Sequence, residues 1–375
     1  DHPAAMQERG GWLNRESADW FAEYTAVVVD RLSDRVRHWM TLNEPQIFIG
    51  LGHVMGEHAP GLKLSRKESL LASHHALLAH GKGVQAIRAH SKSDSVVGWA
   101  PVGDVVVPVD DRPESVEAAR ALMFRVREPE GNWAFNNAWF ADPVVLGHYP
   151  EDALRQFGSD APEVREGDLD QIRQPIDLYG MNTYSALHAR MGADGPEVVD
   201  FEPGTARTAF GWAVVPEAMY WGPRFLSERY RLPLYVTENG LASMDWVGLD
   251  GAVSDPGRID FLSRYISQLE RAIADGVDVR GYFQWSIMDN FEWDWGYDQL
   301  FGIVHGDFQA QKRTPKDPYH WYRQVIETNG KVLPDVAVPL VPAFGPGSST
   351  PTMPPPRVTV GSRTRLHGQP SAPVT

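Results

Sequence analysis

The sequence predicts an α/β fold built on a parallel sheet, and three observations carry the prediction. Apolar strand-like runs alternate with helix-periodic segments through the first 330 residues. Two of those runs, Trp39-Met40-Thr41-Leu42-Asn43-Glu44-Pro45 and Leu234-Tyr235-Val236-Thr237-Glu238-Asn239-Gly240, end in a glutamate beside an asparagine. An acid at the C-terminal tip of a buried parallel strand stands where barrel enzymes do their chemistry.

Taken in chain order, Asp19 to Val36 reads as a helix, with Trp20, Phe21, Tyr24, Val27, Val28 and Leu32 at helical spacing. Residues 37–44 follow as the first strand. Ser65-Arg66-Lys67-Glu68 has the form of a capping box and opens a helix reaching about His90. Residues 96–102, 177–184, 233–239 and 279–286 read as further strands. Asp255-Pro256 supplies an N-cap and a first-turn proline, and Gly276 a stop, for the helix carrying Phe261, Leu262, Tyr265, Ile266 and Leu269. Pro318 to Thr328 is the last helix. A closed (β/α) barrel needs eight strands and this reading finds about five, so the barrel is expected to be incomplete in this chain, with the first three strands missing. Residues 1–330 form the expected partial barrel. From 331 to 375 the chain holds ten prolines and one aromatic ring, Phe344, which predicts an unstructured tail.

Composition narrows the function. The net charge of −14 disfavours nucleic acid and anionic membrane surfaces as partners. With no cysteine there are neither disulfides nor thiolate metal sites, and no apolar run is long enough to cross a bilayer. Neither a metal nor any other cofactor is expected. His74, His75 and His80 share one helix without a matched acid, and read as solvated or core histidines rather than metal ligands. The acidic run Glu114 to Glu130 reads as a solvated helix face and loop, and the Arg155 to Arg173 stretch as surface. The chain opens at Asp1, so a targeting signal is not observable; the cytoplasm is the favoured compartment.

Two carboxylates flanking one bond are what glycoside hydrolysis requires, and Glu44 and Glu238 could converge from different strands. Either one alone would read as an ordinary polar residue closing a strand. The stretch from Gln284 to Phe301 adds weight, because it mixes Trp285, Phe291, Trp293, Trp295 and Tyr297 with Asp289, Asn290, Glu292 and Asp294. Indole faces can cover the apolar face of a pyranose, and a carboxylate can accept two hydroxyl hydrogen bonds at once.

On these residues the chain resembles glycoside hydrolase family 1, the β-glucosidase family. The matching pieces are Thr41-Leu42-Asn43-Glu44-Pro45, Gly180-Met181-Asn182-Thr183-Tyr184, Tyr235-Val236-Thr237-Glu238-Asn239-Gly240, Trp285-Ser286-Ile287-Met288-Asp289-Asn290-Phe291-Glu292-Trp293, Asp255-Pro256-Gly257-Arg258 and Thr314-Pro315-Lys316-Asp317. The resemblance implies a (β/α)8 TIM barrel and a retaining mechanism through a covalent glycosyl-enzyme. Glu44 would be the acid/base and Glu238 the nucleophile, with the carboxyls about 5–5.5 Å apart. Asn43 would bind the sugar 2-hydroxyl, with Asn182 in the same substrate-binding set. Tyr184 would tune the nucleophile, and Glu292 and Trp293 would hold the 4- and 6-hydroxyls. Trp285 would lie beneath the sugar and Phe301 would wall the pocket. The family also uses a glutamine, an arginine and a histidine on its first three strands, which have no counterpart in this sequence.

The expected partner is a β-glucoside or oligosaccharide, with self-association into a homo-oligomer as a further expectation. The competing reading is a truncated, inactive glycosidase fragment or a carbohydrate-binding remnant. A 6-phospho-β-glycosidase is disfavoured, because Glu292 would repel the phosphate.

Overall fold

The computed structural model describes residues 2–126 and 132–333. Among these, the strands are His38–Asn43 (β1), Val96–Ala100 (β2), Val106–Pro108 (β3), Leu178–Asn182 (β4), Leu187–Gly192 (β5), Gly195–Val199 (β6), Leu234–Asn239 (β7), Val279–Gln284 (β8), Val304–Asp307 (β9) and Lys312–Pro315 (β10). The main sheet has the order β1-β2-β4-β7-β8, with every neighbouring pair parallel. These are the five strands the sequence predicts, with ends that differ by no more than two residues.

Parallel neighbours need long crossovers, and helices supply them. Arg66–His90 lies between β1 and β2, Ala218–Tyr230 between β4 and β7, and Pro256–Ala274 between β7 and β8. Ser17–Leu32 precedes β1 and packs on Arg66–His90, while Asp317–Thr328 packs on Pro256–Ala274. The Ser65 capping box is present: Glu68 N donates to Ser65 Oγ at 3.3 Å, and Ser65 N donates to Glu68 Oε2 at 3.0 Å. Asp255 caps the next long helix by accepting from Arg258 N at 3.2 Å. The strand β4 is buried along its whole length, as expected of a central parallel strand. Its Gly180 passes so close to β2 that a Cβ there would come within 2.6 Å of the Trp99 carbonyl oxygen.

The outer strands β1 and β8 each have one strand neighbour among the described residues. Beside them, Tyr24 and Val27 on the helix Ser17–Leu32, and Phe283 on β8, are more than half exposed.

Several expectations need correction. A second sheet, β3-β5-β6, and the antiparallel pair β9-β10 were not anticipated; β3, β9 and β10 are only three or four residues long, and β5 and β6 lack a continuous apolar run. The acidic run does present a solvated helix face, with Glu114 and Glu117 exposed, but the other face of the same helix, Pro113–Phe124, buries Ala118, Ala119, Leu122 and Met123. Its residues 127–130 lie outside the described ones. The 155–173 stretch is not all surface: Phe157 and Asp168 are buried. Asp168 accepts from Arg15, from Arg165 N at 2.9 Å and from His74 Nε2 at 3.0 Å, so His74 does have a matched acid, reached across 94 residues. His74, His75 and His80 are core residues, and burial lowers the pKa of each. The proline-rich tail lies outside the described residues from 334 onward.

Candidate active site

The parallel register brings the strand tips to one edge of the sheet. Asn43 stands opposite Ala100, Asn182 opposite Glu238 and Asn239 opposite Gln284. In three strands the register slips just before the tip, between Met40 and Asn43, Met181 and Asn182, and Val236 and Asn239. Such irregularities re-aim side chains that strict alternation would send to opposite faces. Glu44, directly after β1, has φ 45°, a left-handed conformation uncommon for a residue with a side chain. It is held there by its N–H, which donates to Ala100 O at 2.8 Å, and by the helix Pro45–Ile49 that starts behind it.

One polar network joins both acids. Asn182, fully buried, donates from Nδ2 to Glu44 Oε1 at 2.8 Å and to Asn43 Oδ1 at 3.0 Å. Its Oδ1 accepts from Thr237 Oγ1 at 2.6 Å. Tyr184 donates its hydroxyl hydrogen to Glu238 Oε2 at 2.6 Å, and the amides of Asn43 and Asn182 also act on Glu238 as donors. Behind Tyr184, Trp212 and Phe301 close an aromatic wall at ring distances of 5.2 and 5.9 Å.

The electrostatics separate the two acids. Glu44 is pushed up to about 8, first by burial, then by the Glu238 and Glu292 charges, against the opposing Asn182 bond. Glu238 is also raised by burial, but three donors, Tyr184, Asn43 and Asn182, hold it back toward the ionised form. Near neutral pH the pair therefore favours a protonated Glu44 and an anionic Glu238. Glu292 is raised to about 7 by burial, then by Glu238 and Asp294. The site nonetheless meets solvent: Glu44 and Glu238 are half-buried and Asn43 is exposed.

The aromatic and acidic stretch follows β8. Trp285 N donates to Asn239 O at 2.8 Å, which fixes the start of the loop against β7. Further along, Trp293 has φ 48° and stacks on His58, whose Nε2 meets Asp294 Oδ1 at 3.1 Å. The base of the loop is pinned by buried charges. Lys316 Nζ, wholly enclosed, donates to Asp289 Oδ1 at 2.9 Å and also to Asp245. Asp289 accepts from Gly302 N at 2.9 Å and from Gly306 N at 3.3 Å. Arg258 donates to Asp255 at 2.6 Å, Asp245 at 3.0 Å, and the carbonyls of Leu300 and Phe301 at 3.1 Å each. Among the described residues no three His, Asp or Glu side chains gather into a set that could hold a metal ion.

Direct contacts thus join Asn182 with Asn43 and Glu44, and Tyr184 with Glu238 and Phe301, while Glu292 is tied to both acids by charge. Trp285 stands at the loop's base, and Trp293 on its exposed side against His58. Sequence reasoning missed Thr237, His58 and the Asp245, Arg258, Asp289 and Lys316 cluster. Arg258 and Lys316 lie within two of the matching segments, but their partners are up to 71 residues distant. A protonated carboxyl and an anionic one on neighbouring strand tips can deliver a proton and a nucleophile to the same bond.

A family model described as glycosyl hydrolase family 1 matches residues 1–331. The chain is 41% identical over 333 residues to a 1,4-beta-D-glucan glucohydrolase of Thermotoga neapolitana, and 40% identical over 333 residues to beta-glucosidase A of Thermotoga maritima. Each alignment covers 88% of this chain and 72% of the relative. A solved structure of the Thermotoga maritima beta-glucosidase in complex with deoxynojirimycin is similar with a TM-score of 0.77 at 39% identity, again over 88% of this chain and 72% of that one. No helix among the described residues is long and apolar enough to cross a membrane.

Proposed function

The chain belongs to glycosyl hydrolase family 1, and from that membership and the paired carboxyls we infer that it is a retaining β-glucosidase. The observation that carries the mechanism is the electrostatic division of the pair, with Glu44 favouring its proton and Glu238 its charge. The retaining assignment implies a carboxyl separation of about 5–5.5 Å. That spacing leaves little room for the extra water an inverting enzyme needs between acid and base.

In the first step Glu238 attacks the anomeric carbon as its bond to the leaving oxygen breaks. Glu44 gives its proton to that oxygen, so the aglycone departs as a neutral alcohol and the sugar remains as an ester on Glu238. In the second step Glu44, now ionised, takes a proton from water. The water oxygen attacks the same carbon, the ester bond breaks, and Glu238 is released with the β configuration restored. Positive charge builds on the ring in both transition states, and the Glu238 oxygens face it. The Tyr184 hydroxyl fixes the attacking carboxylate. We assign Asn43 to the sugar 2-hydroxyl, Glu292 and Trp293 to the 4- and 6-hydroxyls, Trp285 to the face beneath the ring and Phe301 to the pocket wall. An anionic Glu292 disfavours a 6-phosphosugar there.

The family's fold is a (β/α)8 barrel. We read the five parallel strands as an arc of it, the other three being its N-terminal strands, and the outer edges of β1 and β8 as the places where further strands would pair. Those edges are also where self-association would occur.

The test uses Glu238→Ala and Glu44→Ala with sodium azide and an activated aryl β-glucoside. Loss of Glu238 should abolish turnover, and azide should restore it with formation of the α-glucosyl azide, because the anion attacks from the vacated side. Loss of Glu44 should let the glycosyl-enzyme accumulate and yield the β-azide. The same anomer from both variants would show the roles to be wrong.

A further inference from the structure

We propose that Thr237 is a positioning residue whose hydroxyl, acting through Asn182, sets which way the Asn182 and Asn43 amides are presented to Glu44, Glu238 and the sugar. The inference rests on the roles read above for Asn43 and Glu44.

A carboxamide has a donating end and an accepting end that are nearly the same shape, so its orientation is decided by its partners. The Asn182 carbonyl oxygen can only accept, so the Thr237 hydroxyl, 2.6 Å away, must donate to it. This turns the Asn182 NH2 to the other side, where its two hydrogens reach Glu44 Oε1 at 2.8 Å and Asn43 Oδ1 at 3.0 Å. The Asn43 oxygen is thereby engaged, and its NH2 is left to face Glu238 as a donor, toward the space where the sugar 2-hydroxyl would lie. One hydroxyl thus orders a relay of two amides ending on both acids. Thr237 and Glu238 are adjacent, and strand alternation alone would send them to opposite faces; the register slip between Val236 and Asn239 lets both reach the site.

Without the hydroxyl the Asn182 oxygen loses its donor, and only the Glu44 and Asn43 acceptors still oppose a turn of the amide. Its oxygen would then oppose Glu44 Oε1, a contact that is favourable only when Glu44 carries its proton. The other ionisable groups facing Glu44 are Glu238, Glu292 and Tyr184, and the two carboxylates already oppose its ionisation. The same turn would present a hydrogen to Asn43 Oδ1 no longer, freeing the Asn43 amide to rotate away from the 2-hydroxyl.

The test compares Thr237→Val with Thr237→Ser in the full chain. Two quantities are read: the pH dependence of kcat/KM, and the ratio of kcat/KM for an aryl β-glucoside to that for its 2-deoxy analogue. Thr237→Val should move the basic limb of the profile upward by about one pH unit, the equivalent of one lost hydrogen bond to an ionised group. It should lower kcat/KM for the glucoside by about tenfold or more, and for the 2-deoxy analogue much less, so the ratio contracts. Thr237→Ser keeps the donor and should return both quantities toward those of the unsubstituted chain. Thr237→Ala carries the same two readouts if the valine variant does not fold. A variant lacking the hydroxyl that keeps the basic limb and the ratio, even with lowered stability, overturns the proposal and leaves the glucosidase reading intact. An unsubstituted chain that treats the two substrates alike, or turns over neither, removes the underlying assignment instead, and the proposal with it.

Discussion

Replacing Glu238 by Gln should lower the pKa of Glu44 without returning it to that of a free glutamate. Glu44 stands at about 8 against a reference of 4.5, so 3.5 units need an account. Burial is the largest cause and the Glu238 charge the second. Two unit charges at the roughly 5–5.5 Å spacing of a retaining pair, at an effective dielectric near 20, interact by roughly 3 kcal/mol, or about 2 pKa units. Since burial must contribute more than this, the Glu238 share is about 1.5 to 2 units, which puts Glu44 near pH 6 to 6.5 in the variant. The assay is the carbon-13 chemical shift of labelled glutamate side chains followed through a pH titration, with Glu44→Gln to assign the resonance. An unmoved Glu44 would mean the two acids do not face one another. A fall all the way to 4.5 would mean burial is not the main cause. The proposed mechanism would use the same change: esterifying Glu238 in the glycosyl-enzyme also removes its charge, which lowers the pKa of Glu44 and leaves it ionised to take a proton from water.

Other perturbations have equally definite outcomes. Because the folded pKa of Glu44 lies above its unfolded value, the folded state binds the extra proton between about pH 4.5 and 8, and stability is lost as pH rises through that window. Glu44→Gln should therefore be neutral near pH 4.5 and stabilising above pH 8, by an amount on the order of 2 kcal/mol once solvent access to the half-buried site is allowed for; urea midpoints showing the same gain at both pH values would contradict this. Lys316→Met leaves Asp245 and Asp289 without their shared buried cation and should cost about 3–5 kcal/mol in denaturant unfolding, and a cost below about 1 kcal/mol would show the cluster is not an anchor. Ending the chain after Leu333 should leave its thermal midpoint and far-ultraviolet helix signal unchanged, whereas unfolding of the shortened chain would show that the proline-rich segment packs.

The strands and the two acids were legible because their signals are local. A short apolar run ending in Asn-Glu or Glu-Asn identifies its own strand and tip, and the Ser65 and Asp255 caps are complete within four residues. What escaped was set by tertiary pairing. Asp168 sits among charged neighbours and reads as solvated until Arg15 and His74 arrive from 153 and 94 residues away. Thr237 looks like one more β-branched strand residue, and only Asn182, 55 residues earlier, gives its hydroxyl a purpose. The strands β3, β5 and β6 form a separate small sheet with β5 in the middle; β3 has only three residues, and β5 and β6 lack the continuous apolar run that marks the main-sheet strands.

The loop after β8 is clamped at its root and bare at its crown. Asp289 and the carbonyls of Leu300 and Phe301 are locked to enclosed cations, while Ile287, Phe291 and Tyr297 are each more than half exposed. In the mechanism proposed above, the bond-breaking groups reside on strand tips, and Glu292 and Trp293, assigned to the 4- and 6-hydroxyls, reside on this crown. The two inventories can therefore diverge independently over evolutionary time. Exchanging residues 290–298 while sparing Asp289, Arg258 and Lys316 offers a way to recruit a different sugar with the hydrolytic machinery left in place.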